Sequence, residues 1–103
     1  MPRYKLSPAA QNDLVNIFAR GYREWGERKA NQFQDKLISS FKVLYQNPKL
    51  GRSIKIRPGL QRYDENPYVI FYRQFSYGIR VARVLYKNCL MEKHLTKSQP
   101  VIN

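Results

Sequence analysis

The sequence predicts an α+β fold: an N-terminal strand and a helical hairpin packed on a small, mainly antiparallel twisted sheet. Three observations carry that prediction. Apolar residues recur at three- and four-residue spacing as far as Asn47-Pro48, and beyond it the period switches to two. The strand-like runs follow the helical ones instead of alternating with them, which separates the pattern from a doubly wound sheet. The chain has 103 residues, one domain's worth, read as a domain over 1–95 and a C-terminal tail over 96–103.

Arg3 to Leu6 supplies a first short strand. Ser7 followed by Pro8 is a helix N-cap with proline at the first helical position, where no backbone donor is lost. Leu14, Ile17, Phe18, Tyr22 and Trp25 then form one apolar stripe, expected to be core, and Gly26 permits the left-handed conformation that often ends a helix. Ala30, Phe33, Leu37, Phe41 and Leu44 form a second stripe, so the two helices read as an antiparallel hairpin. Ser53 to Arg57 alternates as a half-buried strand should, and Pro58-Gly59 turns the chain. Leu60 to Asp64 is a short second candidate, followed by a turn at Glu65-Asn66-Pro67. Tyr68 to Phe75 is the clearest strand, dense in β-branched and aromatic residues and expected at a central position. Tyr77-Gly78 offers a hairpin, after which Ile79 to Tyr86 pairs back.

Composition narrows the chemistry. A content of 43% hydrophobic and 14% aromatic residues supports a core without staples and argues against disorder. The single Cys89 has no partner for a disulfide and no neighbours at zinc spacing, so no metal and no cofactor are expected. The N-terminal residues lack a signal-peptide apolar stretch and no run spans a bilayer, which reads as a soluble cytoplasmic protein without membrane contact. The 19 basic and 7 acidic residues leave a net charge of +12, the mark of a polyanionic partner. Residues 1–48 hold 8 basic and 4 acidic residues (net +4), and 49–103 hold 11 and 3 (net +8), so most of the excess falls on predicted strands and turns.

Arg80 and Arg83 lie three apart on the last strand and so are expected on opposite faces, at least one of them among apolar neighbours. Either such an arginine packs its stem and sends its head to solvent, or part of the sheet is open. In the second case Arg62, Arg73, Arg83 and Lys87 form a cationic shelf with Tyr63 and Tyr86. Such a shelf suits phosphates and stacked bases, or an acidic peptide laid on the sheet. The usual catalytic sets are missing. His94 has no evident partner, the carboxylates Asp13, Glu24, Glu27, Asp35, Asp64, Glu65 and Glu92 are scattered, and Asp64-Glu65 reads as turn chemistry. No glycine-rich phosphate loop occurs. One catalytic route stays open: metal-free RNA cleavage by Lys, Arg and Tyr, with a base for the 2′-hydroxyl and cations for the phosphorane.

Several ordered pieces of the sequence resemble a known family. Tyr4-Lys5-Leu6-Ser7-Pro8-Ala9-Ala10 with Asp13-Leu14 and Trp25-Gly26, then Asn47-Pro48-Lys49-Leu50-Gly51-Arg52, Arg57-Pro58-Gly59-Leu60, Tyr68-Val69-Ile70-Phe71-Tyr72-Arg73 and Arg83-Val84-Leu85, are similar to the ParE branch of the ParE/RelE toxin superfamily. The likeness extends from Tyr4 to Leu95. It implies a helical hairpin on a small antiparallel sheet and the toxin of a bacterial type II toxin–antitoxin pair, a plasmid-maintenance device. Such a toxin inhibits DNA gyrase without being an enzyme, and a cognate acidic antitoxin neutralises it. Direct nucleic-acid binding is not expected, and a toxin dimer or toxin–antitoxin heterotetramer fits the family.

The RelE branch, ribosome-dependent mRNA endonucleases, is the alternative. Its catalytic set needs an arginine just after the central-strand tyrosine, and here Tyr68 is followed by Val69, which supplies neither charge nor proton. If the chain were nevertheless a nuclease, Arg62, Arg83, Tyr86 and Lys87 would be its catalytic residues. If it is a binding toxin, Arg62, Tyr63, Arg73, Arg80, Arg83, Tyr86 and Lys87 are the candidates for target or antitoxin contact. The segment Tyr86-Lys87-Asn88-Cys89-Leu90 departs from both branches, since ParE relatives often carry His after Arg-Val-Leu.

Overall fold

The computed structural model describes residues 3–55 and 57–87. Its elements run β1 (Arg3–Leu6), α1 (Pro8–Trp25), α2 (Glu27–Gln46), β2 (Arg52–Ser53), β3 (Gln61–Glu65), β4 (Tyr68–Phe75) and β5 (Gly78–Tyr86). The five strands form one sheet in the order β1-β5-β4-β3-β2. All pairs are antiparallel except β1 with β5, which is parallel. The α+β arrangement expected from the sequence is therefore the one observed, with β4 in the centre. Cys89, Glu92, His94, the Asn88-Cys89-Leu90 segment and the 96–103 tail lie outside the described residues.

Local chemistry explains the hairpin. The Ser7 hydroxyl accepts the Ala10 N–H (3.0 Å) and donates to the Ala82 carbonyl (2.7 Å), so one side chain caps α1 and fastens it to β5. Gly26 ends α1 with φ +90° and ψ 171°, a positive-φ but extended backbone rather than the left-handed helical one that was expected. Its N–H reaches the Tyr22 carbonyl and its carbonyl accepts the Ala30 N–H, so a single glycine closes one helix and opens the next.

Alternation along β4 divides the interior into two layers. Tyr68, Ile70 and Tyr72 face the helices and pack with Ala10, Leu14, Leu37, Phe41 and Leu44. Val69 and Phe71 face the other way and pack with Leu60, Ala82 and Leu85, with Ile54 alongside. The second helical stripe is core, as its spacing predicts. The first is core only in part: Leu14 is buried, but Tyr22 is 52% and Trp25 46% exposed. The last turns of α1 meet α2 closely enough that a side chain at Gly21 would touch Ala30, and Trp25 lies beside Phe33 with ring centroids 5.2 Å apart, yet Tyr22 and Trp25 stay about half exposed.

Two strand expectations also change. Ile56 lies outside the described residues; among the others of the run expected as a strand over Ser53–Arg57, only Ser53 pairs, as the second residue of β2. Beyond it the Ile54 N–H reaches the Leu60 carbonyl and the Leu60 N–H reaches the Arg57 carbonyl, so the chain closes a loop around Pro58-Gly59. On β5, Tyr72 opposes Val81 while Phe71 opposes Arg83, which leaves Ala82 as a bulge residue. The bulge puts Val81 and Val84 on the same helix-facing side. By the pleat, Arg80 and Arg83 then share the other side instead of pointing apart.

Candidate functional site

The residues expected to form one cationic shelf occupy three places. The first is the free edge of β5. Pairing with β1 ends at Leu6–Val81, and the backbone beyond is met by α1 in place of a strand. Asp13 accepts the Val84 N–H (2.9 Å) and two guanidinium bonds from Arg83, from Nε at 2.7 Å and from the terminal nitrogen at 2.9 Å. Arg83 is thus engaged bidentately by a carboxylate that also substitutes for a missing strand. Nothing in the sequence pattern links Asp13 to Arg83, 70 positions away.

The second place is the end of the sheet where β3, β4 and β5 meet. The Arg62 guanidinium donates twice to Asp64 (3.0 and 3.1 Å), and Lys87 reaches the other oxygen of Asp64 (3.3 Å) and the Asn66 side chain (3.4 Å). Partial burial works against an ionised Asp64, but hydrogen bonds and charge from Arg62 and Lys87 outweigh it and hold its carboxyl below the usual range. Asp64 and Glu65 are therefore strand residues in ion pairs, not turn residues: Glu65 accepts the Ser40 hydroxyl (2.7 Å) and meets Lys36 (3.3 Å). Tyr86 stands edge-on to Tyr68 at 5.8 Å, and the Arg20 guanidinium lies over the Tyr86 ring at 5.2 Å. Burial pushes the Tyr68 hydroxyl above its ordinary pKa, against the pull of Arg20. Tyr63 packs beside the helix-side core and, with Leu50, Arg52, Arg62 and Asp64, lines an open groove of 350 Å³.

The third place is the opposite end of the outer face, the side of the sheet turned away from the helices. Arg73 on β4 opposes Arg80 on β5, and Arg80 in turn is aligned with Lys5 on β1. One Arg73 nitrogen donates to the Pro58 carbonyl (2.8 Å), and no carboxylate pairs with any of the three cations among the described residues. Lys5 was not among the residues expected here. The alternation of Arg3 and Lys5 with Tyr4 and Leu6 was a signal for its face, but its neighbour depends on the parallel β1–β5 pairing.

A buried network braces the groove between α2 and the sheet. The Tyr72 hydroxyl donates to the Pro48 carbonyl and accepts the Gly51 N–H, both at 2.8 Å, while Gln61 Nε2 reaches the Pro48 and Gly51 carbonyls. Burial raises the Tyr72 pKa although the Gly51 N–H favours the anion, which keeps the phenol protonated and donating. Among the described residues no cluster of three or more His, Cys, Asp or Glu could hold a metal ion, and no helix is long and apolar enough to cross a membrane.

Comparison with known proteins agrees with this architecture. Residues 4–88 match the family model described as "ParE toxin of type II toxin-antitoxin system, parDE". The chain is 36% identical over 95 residues to Toxin ParE1 of Mycobacterium tuberculosis, covering 90% of this chain and 97% of that one. It is 30% identical over 96 residues to Toxin ParE1 of Caulobacter vibrioides, covering 92% and 99%. A solved chain from "Chromosomal ParDE TA system from P. aeruginosa" shares the fold with a TM-score of 0.72 at 22% identity, over 84% of this chain and 96% of that one. The ordered motifs, the hairpin on a five-stranded sheet and these matches lead to one conclusion: the chain belongs to the ParE toxin family of type II toxin–antitoxin systems.

Proposed function

We propose that the protein is a non-enzymatic toxin that inhibits DNA gyrase and is neutralised by a cognate acidic antitoxin. One observation carries this over the nuclease alternative. Arg83, which a nuclease would need free to stabilise a phosphorane, has its guanidinium held by both oxygens of Asp13, with 13% and 9% of the two side chains exposed. The position after Tyr68 is Val69, fully buried in the outer-face cluster, and it has no group to offer a phosphate. Arg62 and Lys87 share Asp64. Three of the four residues named for a nuclease are thus tied to carboxylates, an arrangement that favours a surface for binding. The family relationship supports the same reading, and the net charge of +12 favours an acidic partner.

A paired assay tests it. The purified chain should inhibit gyrase supercoiling and leave ribosome-bound message intact. A short acidic frame beside its gene should encode a protein that relieves the inhibition. Cleavage of message together with unimpaired supercoiling would reverse the assignment.

A further inference from the structure

The cation row on the outer face has a companion that the toxin reading does not use. Lys5, Arg80 and Arg73 stand side by side on β1, β5 and β4, so with strands about 4.8 Å apart their Cα atoms span roughly 10 Å. Like charges set directly opposite one another in a sheet repel and cost stability. Arg73 is held in place by its bond to the Pro58 carbonyl. One strand repeat further along β4, about 7 Å on and on the same side, comes Phe75, with 46% of its surface exposed. Its ring lies parallel to that of Tyr77, 3° apart with centroids at 5.5 Å, and the Lys5 ammonium sits 4.7 Å from the Tyr77 ring centre.

We propose that this end of the sheet binds single-stranded nucleic acid, with successive phosphodiesters of one strand on Lys5, Arg80 and Arg73 and a base stacked on Phe75. A carboxylate-bearing segment would gain from the row but nothing from the open ring. A nucleotide offers a phosphate to the row and a base to the ring, which stands one strand repeat along β4 from Arg73. Base stacking on aromatic residues combined with a cationic track is how sequence-tolerant single-strand sites are built. The proposal runs against the sequence-based expectation of no direct nucleic-acid contact, and the binding experiment below decides between them. It stands apart from the gyrase reading and survives if gyrase is not inhibited.

Fluorescence anisotropy with labelled dT12 and rU12 tests the site on the full chain, and the tighter of the two assigns DNA or RNA. Three neutralised phosphates give a slope of log affinity against log salt near −2, about a 20-fold loss between 50 and 200 mM salt. Arg80→Gln and Lys5→Gln should each reduce the slope by about 0.7. Phe75→Ala should weaken binding about 5- to 150-fold without changing the slope, and an abasic strand should bind wild type and F75A alike. Phe75→Leu, which keeps an apolar side chain at this exposed position, guards against loss of fold, and circular dichroism checks every variant. The proposal fails if the strands do not bind, if R80Q and K5Q leave the slope unchanged, or if F75A and F75L bind as the wild type does. It also fails if poly-L-glutamate displaces the strand at equal charge concentration and itself binds F75A as well as wild type, which assigns the row to an acidic protein segment.

Discussion

Replacing Asp13 with alanine removes two guanidinium bonds and the acceptor of the Val84 N–H in a single step. With Asp13 in place, the Arg83 side chain exposes only 13% of its surface. Breaking a buried ion pair by deleting one partner costs about 3–5 kcal/mol, because the surviving charge is uncompensated. Residual solvent access to Arg83 places this case near the lower end, about 3 kcal/mol. For a domain near 100 residues each kcal/mol moves the melting temperature by about 4–8 °C, so Asp13→Ala should melt about 12–24 °C lower. Asp13→Asn keeps one acceptor oxygen but turns the other into a donor, so it loses the charge and at least one of the three bonds, and should cost about 1–3 kcal/mol. The double variant Asp13→Ala/Arg83→Met also removes the guanidinium that has lost its carboxylate and should recover much of the loss. Thermal and urea unfolding followed by circular dichroism read all three. A fall below about 4 °C in Asp13→Ala, or a double variant less stable than the single one, would refute the view that a guanidinium deprived of its carboxylate sets the cost.

Three further outcomes follow from particular contacts. Tyr72→Phe leaves the Pro48 carbonyl and Gly51 N–H without their phenol partner and should cost about 1–3 kcal/mol in urea unfolding, with faster proteolysis near residue 50. Gly78→Ala puts a methyl group against the Arg3 backbone at φ +143°, so β1 should detach from β5 at a cost of at least about 2 kcal/mol, seen as faster hydrogen exchange at the Arg3 amide. Because the folded state lowers the Asp64 pKa, the stability this carboxylate adds is present above the ordinary carboxylate range, about 3.9, and fades as pH falls through the lowered value. Asp64→Asn should therefore be less stable than wild type at pH 7, within about 1 kcal/mol, and the gap in urea midpoints should close as pH falls through the lowered carboxyl pKa.

The elements that were legible in the sequence are those whose signal is local. Tyr68–Phe75 is the strand its β-branched and aromatic run predicts, and α1 begins where Ser7-Pro8 places it. β3 lies one residue later than expected. The failures share a cause of the opposite kind. Tyr22 and Trp25 obey the helical period, but burial of their rings depends on what packs against that part of α1. Ser53–Arg57 alternates, yet a strand also needs a partner along its length, and the backbone bonds to Leu60 and Arg57 go to a loop instead.

The candidate site divides in the same way. Which residues carry charge, and that most of the excess falls after residue 48, is fixed by composition alone. So are the helical hairpin, the central strand and the motifs that mark the ParE family. Tertiary structure decided which of those charges are already neutralised. The β1–β5 pairing brings Lys5 beside Arg80, the bulge at Ala82 turns Arg80 and Arg83 to one side, and the end of β1 leaves an edge that Asp13 fills. Each of these rests on contacts between distant positions, and the register of a parallel pair or the position of a bulge leaves no periodic trace in the strand that carries it.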